Sequence, residues 1–299
     1  MVNPSLANRP QARARVDDRL LLGLPARLTD RDRMLIRLLA EHQVLTTVQI
    51  TDIGFCSQRR TESRLAQLYQ LRVLDRFRPL TRSGSAPFHW LLDEAGAAVL
   101  AAEQGRAVSE TSWRRDKAQA LRTNAHLAHL VGSNGVFTAL IRTARDHPDQ
   151  SLALWWPERR CAAEWGEVVR PDGYGVWQES GRQVRFLLEY DRGTEPLGRL
   201  ADKLAGYAEL LAAAGQPTPV LFVFLTADRE AQARRVLTPE ALQVALPVAT
   251  SALSPGQSAA DRVWLPLGAR DRRHLIELAS APQAAEQGTA FLGGTGLGW

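Results

Sequence analysis

The sequence predicts a two-domain chain of mixed α and β structure, a winged helix-turn-helix followed by an α/β domain. Three observations carry that prediction. Between Thr29 and Leu92, three helical stretches precede two short strand-like runs around a Pro- and Gly-bearing loop. From Ser151 to Leu225, strand-length apolar runs alternate with an amphipathic helical one, the rhythm of an α/β unit. The length of 299 residues is enough for two separate cores, since domains commonly run to ~100–150 residues.

Bulk composition narrows the class. Hydrophobic content of 45% and charged content of 23% describe an ordinary globular chain. The longest apolar runs, such as Pro219 to Leu225, are of strand length, far short of the ~18 residues of a membrane span. Met1 to Asp18 lacks the apolar core of a signal peptide, so the expectation is a cytoplasmic protein with no membrane partner. A net charge of +5 and a pI near 9.7 are compatible with a polyanionic partner. Cys56 and Cys161 supply neither a disulfide framework nor metal-ligand spacing, and read as reduced thiols.

Residues 1–26 read as a flexible basic arm in which Arg9, Arg13 and Arg15 could touch phosphate. Residues 27–107 form the winged helix-turn-helix. Thr29 precedes Asp30 and Asp32, and Met34, Leu35, Leu38 and Leu39 recur at helical spacing, so a first helix runs to about His42. A second spans Thr47 to Ile53, closed by Gly54, and a third Ser57 to Leu71 with Leu65, Leu68 and Leu71 inward. Val73 to Arg78 and Phe88 to Leu92 make the hairpin, with Arg82, Ser83 and Gly84 in its loop.

In such a domain the third helix enters the major groove and the wing meets phosphate or the minor groove. Arg59, Arg60 and Arg64 on the third helix, and Arg76, Arg78 and Arg82 on or beside the wing, are the candidate DNA-binding residues. Each arginine could read guanine in bidentate fashion or only bind phosphate, and winged helices also mediate protein contacts.

A closing helix is expected over 94–104 and a linker over 105–112. Residues 108–150 then join the domains, mostly helical, with Gly132 and Gly135 as candidate interruptions. His126 and His129 could share a ligand face, though packing histidines are the simpler reading. The second domain, 151–280, has strands expected at Ser151 to Trp155, 167–177, 183–191 and 219–225, with helices at 195–214 and 228–236. Trp155 and Trp156 could stack on bases or pack in the core. A Gly-rich flexible tail, 281–299, follows.

The chemistry gathers in Arg170-Pro171-Asp172-Gly173 and in Phe186-Leu187-Leu188-Glu189-Tyr190-Asp191. In an extended strand Glu189 and Asp191 project from one side, ~7 Å apart. If 167–177 and 183–191 pair as a hairpin around Gln178 to Arg182, Asp172 can converge on the same point. Hard cations such as Mg²⁺ or Mn²⁺ take a few carboxylate oxygens and leave room for water and phosphate. Asp172, Glu189 and Asp191 are therefore candidate metal ligands and catalytic acids. Glu158 is a possible accessory acid, or a surface ion pair with Arg159 or Arg160.

Of 37 lysines and arginines, only Lys117 and Lys203 are lysine. The compact ammonium of Lys203 is thus an unusual choice, suited to a site that wants a point charge. Thr194 can cap its helix, Leu197, Leu200, Leu204, Ala208 and Leu211 form the apolar stripe, and Arg199, Lys203 and Tyr207 form a polar ridge at i, i+4 spacing. Lys203 and Tyr207 join the candidate catalytic residues, Tyr207 as a conceivable nucleophile.

Pro171-Asp172 followed by Glu189-x-Asp191 resembles the PD-(D/E)xK nuclease signature, with Asp191 where the signature usually has lysine and Lys203 as a migrated lysine. Glu189-Tyr190-Asp191-Arg192-Gly193-Thr194-Glu195, with Lys203 and Tyr207, resembles the replication-relaxation family of actinobacterial plasmids and integrative elements over roughly residues 27–270. That resemblance implies a restriction-endonuclease-like second domain, related to the relaxases that share that fold. It also implies a role in plasmid replication or mobilisation at an origin, with double-stranded DNA as partner.

Two readings follow. One is a Mg²⁺- or Mn²⁺-dependent DNA nickase or relaxase. The other is a non-catalytic DNA-binding replication or transfer factor, or a transcription regulator, with an inactive nuclease-like domain. Other replication or transfer proteins are conceivable partners, and a homodimer is compatible with either reading.

Overall fold

The computed structural model describes residues 13–79, 86–111, 113–216, 218–254 and 256–279. It is a mixed α and β protein that divides into two compact units, Met1–Leu127 and Ala128–Trp299. Arg9, Arg82, Ser83, Gly84 and the Gly-rich tail lie outside the described residues.

In the first unit, α1 (Asp18–Gly23) is capped by Asp17. Thr29 and Asp32 exchange side-chain and backbone hydrogen bonds in a capping box that starts α2 (Asp30–His42). A two-residue strand, β1 (Leu45–Thr46), leads into a second capping box, Thr46 with Gln49, that starts α3 (Thr47–Gly54). Ser57 then caps α4 (Gln58–Gln70).

The hairpin is β2 (Leu74–Phe77) and β3 (His89–Leu92), and the three antiparallel strands lie in the order β1-β3-β2. Leu35, Leu39, Ile50, Leu65, Leu68 and Trp90 fill the core beneath them. Helices α5 (Glu94–Glu103), capped by Asp93, and α6 (Arg115–Ala120) complete the unit. Within the stretch read as a basic arm, Arg13 is fastened to the hairpin by Asp75 at 3.2 Å and Asp93 at 2.5 Å.

The second unit opens with α7 (Leu127–Asp146), which runs unbroken through Gly132 and Gly135. Gly132 does not interrupt the helix because its role is clearance: a Cβ there would meet the Tyr190 ring. The strands are β4 (Gln150–Pro157), β5 (Gly173–Glu179) and β6 (Arg182–Asp191), with α8 (Glu158–Trp165) between the first two. Then come α9 (Leu197–Ala214), β7 (Val220–Phe224), α10 (Ala227–Gln243), β8 (Val248–Ala252) and β9 (Leu265–Pro266).

The six strands lie in sequence order, with β6, β7 and β8 parallel and the remaining pairs antiparallel. On one face Leu200, Leu204 and Tyr207 of α9 and Ala233 and Leu237 of α10 join Trp156, Tyr174, Leu187, Phe222 and Phe224 in a single core. On the other, Phe137 of α7 stacks on Trp155 and Phe186 at centroid distances of 5.2 and 5.7 Å. The outcome is a sheet covered on both faces, which explains why β7 is apolar throughout.

Several boundaries differ from expectation for local reasons. The strand expected from Glu167 begins only at Gly173, because the Val168 and Val169 amides donate back to the Trp165 carbonyl and turn the chain. Pro196 rather than Thr194 stands at the N-cap of α9. Helix α10 continues past Pro239 because Leu237 and Ala241 are buried. Trp155 and Trp156 are 2% and 3% exposed, so both are core residues and neither presents a face to a base.

Candidate functional site

The β5–β6 hairpin pairs Gly173 with Leu188 and Glu179 with Arg182. Its register is extended by one bond, from the Asp172 amide to the Leu188 carbonyl at 2.9 Å, so Asp172 is set beside the Glu189 end of β6. Alternation along β6 turns Leu187, Glu189 and Asp191 toward the α9 side and Phe186 and Tyr190 toward the α7 side.

Glu189 is 2% exposed and accepts from both neighbours on α9. Lys203 Nζ donates to Oε2 at 2.7 Å, and the Tyr207 hydroxyl donates to Oε1. Asp172 is fixed from the other side: its Oδ2 accepts the Tyr190 amide at 2.7 Å, and its Oδ1 lies 2.9 Å from His129 Nε2 on α7. The Tyr190 ring meets that imidazole edge-on, with centroids 5.8 Å apart.

The electrostatics follow from putting like charges in a buried place. Burial and the Asp172 charge push the Glu189 carboxyl up to about 7. Burial alone would lower the Lys203 ammonium, but the Glu189 charge outweighs it and raises that group. Burial likewise opposes the His129 imidazolium, and its hydrogen bond to the Asp172 carboxylate overcomes that, raising this group too. Tyr207 is held well above the usual phenol range by burial and then by Glu189.

Asp191 has different partners. Its Oδ2 receives Arg229 Nε at 2.7 Å and its Oδ1 the Gly193 amide at 2.9 Å, so Asp191 shares no hydrogen-bond partner with Glu189. Glu158 opens α8 and its charge acts on His129. His126 is exposed in the turn before α7 and does not join His129. Cys161 is a buried thiol, held up by burial and the Asp172 charge, while Cys56 is exposed.

Among the described residues, no group of three or more His, Cys, Asp or Glu side chains could hold a metal ion. Asp172 and Glu189 are the two acids whose charges meet in the cluster. Each carboxylate oxygen there accepts one hydrogen bond or ion pair and keeps a second lone pair. That donor chemistry fits a hard cation, which needs only one or two carboxylates when water and phosphate supply the rest.

The chain is matched by the family model described as Replication-relaxation over residues 36–223, from within α2 to β7. It belongs to the replication-relaxation family. No curated protein and no solved structure matches it. Membership ties this replication-relaxation protein to the DNA and the machinery of replication and relaxation. The matched span contains the Asp172 cluster and α4 alike, and ends before α10. Among the described residues, no helix is long and apolar enough to cross a membrane.

In the first unit of this family member, the arginines expected to face DNA divide into two groups. Arg59 and Arg60 are exposed in the first turn of α4. Arg64 is turned inward: it donates to Asp32 at 3.0 and 2.5 Å, to Gln67 at 2.7 Å and to the Arg27 carbonyl at 2.9 Å. Arg76 packs over Tyr69, Phe88 and Trp90 at 4.6, 4.2 and 5.5 Å, and Arg78 over Phe88 at 3.8 Å. Sequence reasoning missed His129 as a partner of Asp172, because residues so far apart are brought together only by the packing of α7 on the sheet. The clearance at Gly132, one turn along, is the trace of that packing in the sequence.

Proposed function

We propose that this replication-relaxation protein nicks or relaxes DNA at a replication origin. In this reading the first unit binds duplex DNA as a winged helix-turn-helix and the second cleaves at Asp172, Glu189 and Lys203. The observation that carries it is the convergence of Glu189, Lys203 and Tyr207 on one buried point beside Asp172. The order of the second unit, a helix, three antiparallel strands with a short helix after the first, then a helix and a parallel strand, supports a restriction-endonuclease-like domain. In the first unit, three helices and a hairpin, with Arg59 and Arg60 exposed at the start of α4, support the DNA-binding reading.

A Mg²⁺ or Mn²⁺ ion held by Asp172 and Glu189 would supply Lewis-acid polarisation of the scissile phosphate and an acidified water. The chain's own residues then have separate tasks. His129 and the Tyr190 amide fix the orientation of Asp172, and Tyr207 fixes that of Glu189. Lys203, at the open side of the cluster, offsets negative charge gathering on the phosphate. Water is the nucleophile. Tyr207 has no exposure and already donates its proton to Glu189, so it is a positioning residue.

The Asp191–Arg229 pair favours a second reading, a nuclease-like scaffold that binds DNA without cutting it, since the position usually given to lysine holds an acid engaged in a structural ion pair. Supercoiled plasmid carrying the cognate origin separates the two. Cleavage predicts open-circular product with Mn²⁺, lost by more than ~100-fold in Asp172→Asn and Glu189→Gln, the scale of a catalytic group. Plasmid left supercoiled by the wild type, with Asp172→Asn supporting replication normally in cells, would establish the non-catalytic reading.

A further inference from the structure

A carboxylate pair with a third acid, Glu195, 3.9 Å from Lys203 makes a poor landing place for a polyanion unless cations surround it. The cations nearest the cluster are mostly committed. Lys203 is held by Glu189, and Arg229 by Asp191 and the Glu195 carbonyl. Arg170 donates to the Gly166 carbonyl at 3.3 Å.

Arg192 and Arg199 are different. Among the described residues, neither side chain has a hydrogen-bond or ion-pair partner. Arg199 is exposed one turn before Lys203 on α9, so the two side chains lie on the same stripe of the helix. Along that stripe, exposure falls from Arg199 through Lys203, whose side chain is 31% exposed, to the fully buried Tyr207. The ridge therefore leads from solvent down to the Glu189 carboxylate.

Arg192 continues β6 directly after Asp191. It follows Tyr190 by two residues, and its charge acts on the Tyr190 phenol, the ring that leans on His129. The two arginines thus stand on the elements that carry the pair and its lysine, Arg199 on α9 one turn before Lys203 and Arg192 at the end of β6, three residues past Glu189. Each offers five N–H donors in a planar fork that matches a phosphate in bidentate fashion.

We propose that Arg192 and Arg199 bind the backbone phosphates on either side of the scissile one, so that a nucleic-acid strand crosses the end of β6 over the carboxylate pair. This rests on the cleavage reading for the word scissile, but the binding itself is measurable without cleavage. The probe is a fluorescent oligonucleotide lacking the origin sequence, titrated by anisotropy in EDTA against the full chain carrying Arg59→Ala and Arg60→Ala, which suppresses the contribution of α4. In that background Arg192→Ala and Arg199→Ala should each lower the slope of log affinity against log salt by about one. Arg192→Lys and Arg199→Lys, which keep the charge, should restore the slope.

Unchanged slopes in both alanine variants would overturn the proposal, as would lysine variants as impaired as the alanine ones. Nicking of origin plasmid with Mn²⁺, assayed in parallel with the otherwise wild-type chain, distinguishes this failure from failure of the cleavage reading. Slopes that fall while the wild type nicks nothing leave the phosphate clamp standing and remove catalysis. Nicking that proceeds with slopes unmoved removes the clamp alone. Where nicking occurs, the arginine variants should raise KM several-fold with kcat nearly unchanged.

Discussion

Arg64 and Glu189 show, at the scale of single residues, how burial changes the meaning of a charge. Arg64 lies on the helix expected to read DNA, yet it closes on Asp32, which is 1% exposed and belongs to the capping box of α2. Removing one partner of a buried pair leaves the other charge uncompensated. Arg64→Ala should therefore cost roughly 2–4 kcal/mol of stability, whereas Arg60→Ala should leave stability within about 0.5 kcal/mol and weaken DNA binding instead. Chemical denaturation with a parallel binding titration checks both; an Arg64→Ala variant of normal stability would refute the clamp.

Glu189 sets a pH dependence. Its ordinary value of 4.5 is raised to about 7, so between those values the native state holds a proton that the unfolded chain has released. The stability this contributes is full below about pH 4.5 and gone above about 7. His129, also raised from its ordinary 6.5, acts in the same direction, its contribution present below 6.5 and lost above its folded value. In EDTA, the Tm of the wild type should drop more steeply from pH 5 to 7.5 than that of Glu189→Gln, which is neutral throughout. Equal slopes would show that Glu189 is ionised across the range.

At the scale of elements, the hairpin and the helix on its far side do different work. The β5–β6 register places Asp172 by the end of β6, and α7 then orients it through His129. That contact needs α7 close to the sheet, and Gly132 is what allows it, since any Cβ there meets Tyr190. Gly132→Ala should cost about 1–3 kcal/mol through overpacking, despite the helix preference for alanine of roughly 1 kcal/mol. In a Tyr190→Ala background the same change should be neutral or stabilising. A Gly132→Ala penalty that persists without the ring would mean that the close approach has another cause.

The hairpin, α9 and α4 were legible in sequence because strand alternation, helical periodicity and, at α4, the Ser57 cap are local signals. The start of β5 was not. Asp172 forms a ladder-like bond while the preceding chain turns back on Trp165, a choice made by packing rather than by residue preference. Helix α8 and strand β8 were likewise missed. The latter is held by Glu230, which accepts the Thr250 hydroxyl and the Ala252 amide and is paired with Arg272 at 2.7 Å, a link between segments far apart in the chain.

At the scale of the molecule, each unit has its own buried core and its own candidate surface. A fragment of residues 13–126 should therefore keep its preference for origin over unrelated DNA in EDTA, measured by anisotropy, while losing the sequence-independent affinity that Arg192 and Arg199 supply. Loss of folding or of sequence preference in that fragment would mean that the units depend on one another. The family match runs across both units, so the pairing of the two units is a property of the family span.

By itself the sequence determined the mixed fold and the family, and it singled out Asp172, Glu189, Lys203 and Tyr207, which meet in the second unit. These are properties of spacing and residue type along the chain. Only the tertiary structure decided which acids share a site. Glu189 and Asp191 lie on one face of one strand, yet Glu189 meets Lys203 and Tyr207 while Asp191 meets Arg229. Periodicity fixes the side of a strand on which a carboxylate projects, but the charge that neutralises it comes from whichever helix packs there.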